Sequence, residues 1–120
     1  MSAGEEHAVK FLRLRALSCA AMVGMAASAA AADTELTVRL FQFHPAEITL
    51  TPGSRVVWTN QDDIKHTVTA GVPGRPDGRF NLALPGKGAT ASHQFTEAGV
   101  YRYFCERHEN MRGEIRIGPQ

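Results

Sequence analysis

The segment Gly99-Val100-Tyr101-Arg102-Tyr103-Phe104-Cys105-Glu106-Arg107-His108-Glu109-Asn110-Met111 decides how the rest of the chain is read. Its first half alternates, with Tyr101, Tyr103 and Cys105 on one parity, the period of a half-buried β-strand entered from the Glu97-Ala98-Gly99 turn. Its second half sets Cys, His and Met three residues apart where the strand pattern stops. A straight strand would throw such side chains to opposite faces, whereas a short loop leaving a strand end can curl so that positions i, i+3 and i+6 converge. The chemistry therefore calls for a strand that ends at Cys105 and a tight loop after it.

Working outward, the flanking sequence repeats the strand grammar. Ile115 and Ile117 share a face downstream, with Glu114 and Arg116 turned to water. Upstream, Thr90–Phe95 reads as a strand, and His66–Thr69 alternates with Val68 on the parity of His66. Val56, Val57 and Trp58 form a strand that stops at Asn60-Gln61-Asp62-Asp63 and starts after the Thr51-Pro52-Gly53-Ser54 turn, where Pro fixes φ and Gly can take φ > 0. Ile48 and Leu50 make a short run. Leu36, Val38 and Leu40 share one parity, and Phe41 and Phe43 continue on the other, predicting a bulge or bend before Pro45. Val72 to Gly88, dense in Gly and Pro, reads as a loop excursion with one short edge strand at Arg79 to Leu84. No stretch keeps helical periodicity beyond a turn or two. The expectation is an all-β sandwich of seven to eight short strands.

The N-terminal third is different. Lys10, Arg13 and Arg15 precede an uncharged run from Ala16 to Ala32 in which nine of seventeen residues are Ala. Basic flank, weakly apolar run and A-x-A ending describe a secretory leader covering residues 1–32, cleaved near Ala31 or Ala32, rather than a lasting membrane anchor. The domain proper is then residues 33–120. Of the 120 residues, 88 remain, with ten Lys/Arg against ten Asp/Glu. A neutral domain without a basic run carries no footprint for nucleic acid. The two cysteines part company, because Cys19 leaves with the leader and Cys105 stays alone. An internal disulfide is excluded, and a lone thiol in an oxidising compartment needs something to hold it. A domain this small also gains from a metal staple.

His66, after the polar loop, completes a set of two imidazoles, a thiolate and a thioether with Cys105, His108 and Met111. Taken singly, Met111 reads as core filler, His66 as a satisfied histidine and Cys105 as a small buried residue. Together, as C-x-x-H-x-x-M at a strand end with an upstream His at a strand start, they read as one metal site. Softness favours copper in a trigonal site with a long axial Met; structural zinc uses more cysteines, and hard cations need carboxylate clusters that are missing here. Zinc could still bind in vitro. A thiol nucleophile would need a third, orienting group and would leave the Met without a role. His44, before Pro45, and His93, in an alternating strand, fit no such set and read as structural or surface residues, while Tyr101 and Tyr103 read as core.

The chain resembles the cupredoxins, the blue-copper family that includes plastocyanin, pseudoazurin and amicyanin. The likeness runs through Phe43-His44-Pro45, Pro52-Gly53, Val57-Trp58-Thr59-Asn60, Asp63, His66-Thr67-Val68 and Gly99–Cys105 to His108, Met111 and Gly113, with the C-x-x-H-x-x-M spacing closest to amicyanin. The resemblance implies a Greek-key sandwich with His66, Cys105 and His108 as strong ligands of one copper ion and Met111 as the weak axial one. It also implies a Thr67 N–H bonded to the Cys105 sulfur, ligand loops braced by Asn60, and electron passage at the edge of His108. In many relatives the loop around the exposed His is apolar and proline-bearing. Here Glu106, Arg107, Glu109, Asn110 and Arg112 surround it, and Lys65 precedes His66, which predicts a mixed-charge rim and salt-dependent docking.

The function expected is that of a small non-enzymatic one-electron carrier cycling copper between Cu(I) and Cu(II), periplasmic or secreted, monomeric by default, serving redox protein partners. Two other readings stay open at this level: copper delivery or storage by the same site, and a β-sandwich interaction module without metal. A copper oxidase or nitrite reductase would need further domains and a second copper site.

Overall fold

The alternating stretches become strands because each can bury one parity against a second sheet and leave the other in water. The computed structural model describes residues 33–119. It contains nine strands: β1 (Thr34–Arg39), β2 (Gln42–His44), β3 (Glu47–Leu50), β4 (Ser54–Asn60), β5 (His66–Val72), β6 (Arg75–Leu84), β7 (Thr90–Phe95), β8 (Gly99–Phe104) and β9 (Arg112–Ile117). They form two sheets, ordered β2-β1-β4-β7 and β3-β9-β8-β5-β6. Among the described residues no helix is long and apolar enough to cross a membrane. The leader expected over residues 1–32, with Cys19, lies outside the described residues.

The sheets are closed face to face by a single core. Leu36, Val38, Val56 and Trp58 from the first sheet meet Val68, Tyr103, Ile115 and Ile117 from the second. Each such side chain, fully buried, contributes roughly 1.5–3 kcal/mol of transfer free energy. Trp58 and Tyr103 cross the interface edge to face at 5.5 Å between ring centroids. Burial pushes the Tyr103 hydroxyl up to about 12. Gly113, opposite Tyr103 in the β8–β9 register, is required there, since a Cβ would lie 2.1 Å from the ring.

Three details differ from the sequence expectation. The strands number nine rather than seven or eight, because the Phe43 region forms its own short strand, β2, and Ile48–Leu50 pairs in parallel with β9. The Gly- and Pro-rich stretch after Gly71 is a hairpin arm: β6 runs the full ten residues from Arg75 to Leu84 against β5. Pro76 is tolerated because β6 is an edge strand, where a missing N–H costs no ladder bond. Gly71, at φ 117° beside the β5 register shift, admits the close approach of Arg75 O that a Cβ would block.

The third difference bears on the site. Leu36 and Val38 point inward as their alternation demands, but Leu40 does not follow: it is 71% exposed, and Phe41 49%. The two are the loop of the β1–β2 hairpin, which closes with Arg39 opposite Gln42. Both adopt left-handed backbone, φ 52° and 58°, the geometry of a two-residue hairpin turn usually given to Asn-Gly. The end of β1, the end of β4, the start of β5 and the end of β8 gather at this same end of the sandwich, through the parallel β1–β4 and antiparallel β5–β8 pairings.

Candidate metal centre

The loop after β8 curls as its spacing predicts. Cys105 O accepts from His108 N–H at 3.3 Å, and His108 O from Met111 N–H at 2.8 Å, two successive three-residue steps. Met111 O then accepts from Cys105 N–H at 3.1 Å and closes the loop on itself. Cys105 and Met111 are buried and His108 is half-buried. His66, fully buried at the start of β5, faces the loop from the neighbouring strand.

One ligand atom from each of His66, Cys105 and His108 falls within 4.8 Å of the others. Cys105 Sγ is 3.7 Å from His66 Nδ1 and 3.8 Å from His108 Nδ1. Such spans fit one ion held by bonds of about 2.0–2.3 Å at roughly trigonal angles. The Thr67 N–H points at Cys105 Sγ from 3.4 Å, a donor suited to thiolate charge. Thr67 also accepts, through Oγ1, the N–H of Glu106 at 2.9 Å, tying the ligand loop to β5. The donor set and its spacing fit copper. Met111, the fourth member expected, lines the same surface depression as His108 and Phe41.

Asn60 is wholly buried and braces one of the expected ligand loops, the one that leads to His66. Its Nδ2 donates to Ile64 O at 2.9 Å and Leu84 O at 3.2 Å, and its Oδ1 accepts from Asp62 N–H at 2.9 Å. His44 and His93 stand outside the cluster. His44 Nε2 lies 3.1 Å from Arg39 O, and His93 packs against Phe80 and Phe95, each 4.8 Å away between centroids.

Two contributors went unread in the sequence. Phe41 sets its ring edge to face against His66 at 5.5 Å and His108 at 4.9 Å, so apolar surface does flank the half-buried His108 imidazole. It comes from the β1–β2 turn, while Glu106, Arg107, Glu109, Asn110 and Arg112 form the polar remainder. Asp62 accepts a 2.8 Å hydrogen bond from His66 Nε2. Burial acts to raise the Asp62 carboxyl, but hydrogen bonds from Phe41 N–H, His66 and Leu40 N–H outweigh it and hold the group below the ordinary carboxylate value. The acidic pair Asp62-Asp63 ahead of His66 was the available signal. Which of the two turns inward depends on the loop's fold.

A two-sheet β-sandwich with one Cys-His-His cluster at its end defines a cupredoxin-type domain. Residues 30–118 match the family of copper binding proteins, plastocyanin/azurin family, and the chain belongs to it. A plastocyanin of Scenedesmus fuscus is 31% identical over 83 residues, 62% of this chain and 85% of that protein. Amicyanin of Paracoccus denitrificans is 32% identical over 95 residues, covering 76% of this chain and 71% of the relative. In structure, a purple cupredoxin from Nitrosopumilus maritimus superposes with a TM-score of 0.64 at 25% identity, over 72% of this chain and all of that one. The cofactor of the site is one copper ion.

Proposed function

We propose that the protein is a small one-electron carrier in which His66, Cys105 and His108 are the strong copper ligands and Met111 the weak axial one. The observation that carries this reading is the convergence of Cys105 Sγ with two imidazole Nδ1 atoms, at 3.7 and 3.8 Å, in a loop closed by its own backbone hydrogen bonds. When bound, copper would supply a one-electron couple, and a thiolate-imidazole-thioether cage of this kind would ask for little rearrangement between its two states.

The chain's own residues do the rest. Thr67 and the turns of the 105–111 loop fix the sulfur, burial of His66, Cys105 and Met111 keeps water from the inner side, and His108 brings a ring edge to the surface. Beside that edge Phe41 offers apolar contact, and the charged loop residues offer steering whose strength falls with salt. Redox proteins are the partners in this reading, the working form is a monomer of residues 33–120, and residues 1–32 act as a leader that delivers it to the periplasm or exterior.

The test is optical and magnetic. Purified protein given Cu(II) should develop an intense thiolate-to-copper band with the matching paramagnetic resonance spectrum, and Cys105→Ser should abolish both. Fast electron exchange with small redox mediators is the further expectation; copper that binds without the band, or leaves readily to an acceptor without electron exchange, overturns the carrier reading. Mass analysis of the exported protein should show an N-terminus near Asp33.

A further inference from the structure

Asp62 sits four residues before His66 in the loop between β4 and β5, its side chain only 11% exposed. Three donors converge on this one carboxylate. Leu40 N–H reaches Oδ1 at 2.8 Å, Phe41 N–H reaches Oδ2 at 3.0 Å, and His66 Nε2 reaches Oδ2 at 2.8 Å. The first two come from consecutive left-handed residues, whose N–H groups make a concave seat for an anion. The loop is fixed from behind as well, since Asp62 N–H donates to the buried Asn60 side chain at 2.9 Å. The carboxylate cannot swing away without breaking the turn or the loop.

An ionised carboxylate only accepts hydrogen bonds, so the His66 proton lies on Nε2 and the free lone pair on Nδ1, the atom facing Cys105 Sγ. A carboxylate sharing an imidazole proton makes the ring a stronger donor to a metal. Its negative charge, held where water is scarce, also favours the more positively charged metal state. Both effects act in the same direction. We propose that Asp62 is a positioning residue that locks the His66 ring through its Nε2–H and biases the bound copper toward Cu(II). This rests on the copper-carrier reading above. Asp63, the adjacent carboxylate, faces solvent and serves as the internal control.

The experiment compares the Cu(II)/Cu(I) ratio of the parent, Asp62→Asn and Asp63→Asn in a redox buffer of fixed potential. Asparagine keeps the shape and one acceptor oxygen while removing the charge. Asp62→Asn should move the ratio toward Cu(I) by at least tenfold, equivalent to a rise of ~59 mV in potential for each tenfold step. Its Cu(II) affinity should fall by roughly 10- to 100-fold, with a smaller change for Cu(I). Asp63→Asn, screened by solvent, should move the ratio by less than about threefold. An unmoved ratio in Asp62→Asn, or equal shifts in the two variants, overturns the proposal. A second measurement reads the hydrogen bond itself: nitrogen NMR of the Cu(I) protein should show the His66 Nε2 proton exchanging slowly in the parent and at least tenfold faster in Asp62→Asn, and equal exchange in the two overturns the proposal. A parent without the thiolate-to-copper band sinks the copper reading itself; a blue parent whose ratio ignores Asp62 sinks only the role given to that residue.

Discussion

The two loops that bring the ligand set together are built on opposite principles. The Cys105–Met111 loop is self-contained: its backbone bonds run between Cys105, His108 and Met111, the very residues it presents. The Asn60–His66 loop presents one ligand and borrows its shape from afar, through Asn60 to Leu84 on β6 and through Asp62 to Leu40 and Phe41 on the β1–β2 turn. A ligand loop can thus be written locally as a spacing, or assembled by side chains reaching across the fold. The local kind tolerates change in its surroundings, and the assembled kind does not.

Removing the hub of the assembled loop should have the largest effect. Asn60→Ala loses three side-chain hydrogen bonds and leaves buried partners unpaired, at a cost of about 2–4 kcal/mol. Thermal unfolding should report it, with a fall in Tm of roughly 4–8 °C per kcal/mol. Hydrogen exchange gives the sharper reading. The Asp62 amide should lose protection while His108 and Met111 amides keep theirs, and equal loosening of both sets would break the contrast between the loops.

The point where the self-contained loop touches the sheet comes next. Thr67→Val keeps the side-chain volume but removes both the acceptor of the Glu106 N–H and the hydroxyl partner of Thr69 Oγ1, which together should cost about 1–2 kcal/mol, while the backbone amide whose exchange speeds up should be that of Glu106. Unchanged exchange at the Glu106 amide would show that the loop needs no hydroxyl anchor on β5.

The turn that supports Asp62 should respond in the opposite sense. Leu40 holds a left-handed backbone that suits Asn better than Leu, and its side chain is mostly in water. Leu40→Asn is expected to stabilise the protein by about 0.5–1 kcal/mol in thermal unfolding. A loss of stability instead would mean that the exposed leucine is packed more tightly than its exposure suggests.

His93, on the sheet away from both loops, sets the smallest effect. Burial holds its ring below the ordinary histidine value, so the unfolded chain binds the proton more readily than the folded one. Stability should be complete above about pH 6.5 and decline as pH falls from there toward the folded-state value. Comparing the pH dependence of unfolding in His93→Gln with the parent checks this, and the variant should show a flatter slope. An unaltered slope would assign the decline to carboxylates instead.

The same division governs what could be read ahead of the structure. The strand at Tyr101–Tyr103, the faces of Ile115 and Ile117, and the turn at Pro52-Gly53 were legible because alternation and turn chemistry are local. Leu40 and Phe41 were misplaced for the same reason. Their apolar character continues an inward pattern, and only the hairpin pairing of β1 with β2 forces both into an exposed left-handed turn. The arm from Arg75 to Leu84 was read too short because Gly and Pro signal loops wherever they stand, unless an edge position excuses them.

By itself the sequence determined an all-β domain and a Cys-His-Met loop with an upstream histidine, since strand parity and a three-residue ligand step are properties of neighbouring residues. Tertiary structure alone decided which carboxylate faces His66, which nitrogen of that ring faces the cysteine, and which aromatic ring from outside the ligand loop borders His108. Those choices depend on strands far apart in the chain meeting at one end of the sandwich, where a hydrogen bond from the Leu40 N–H to the Asp62 carboxylate spans more than twenty residues of sequence.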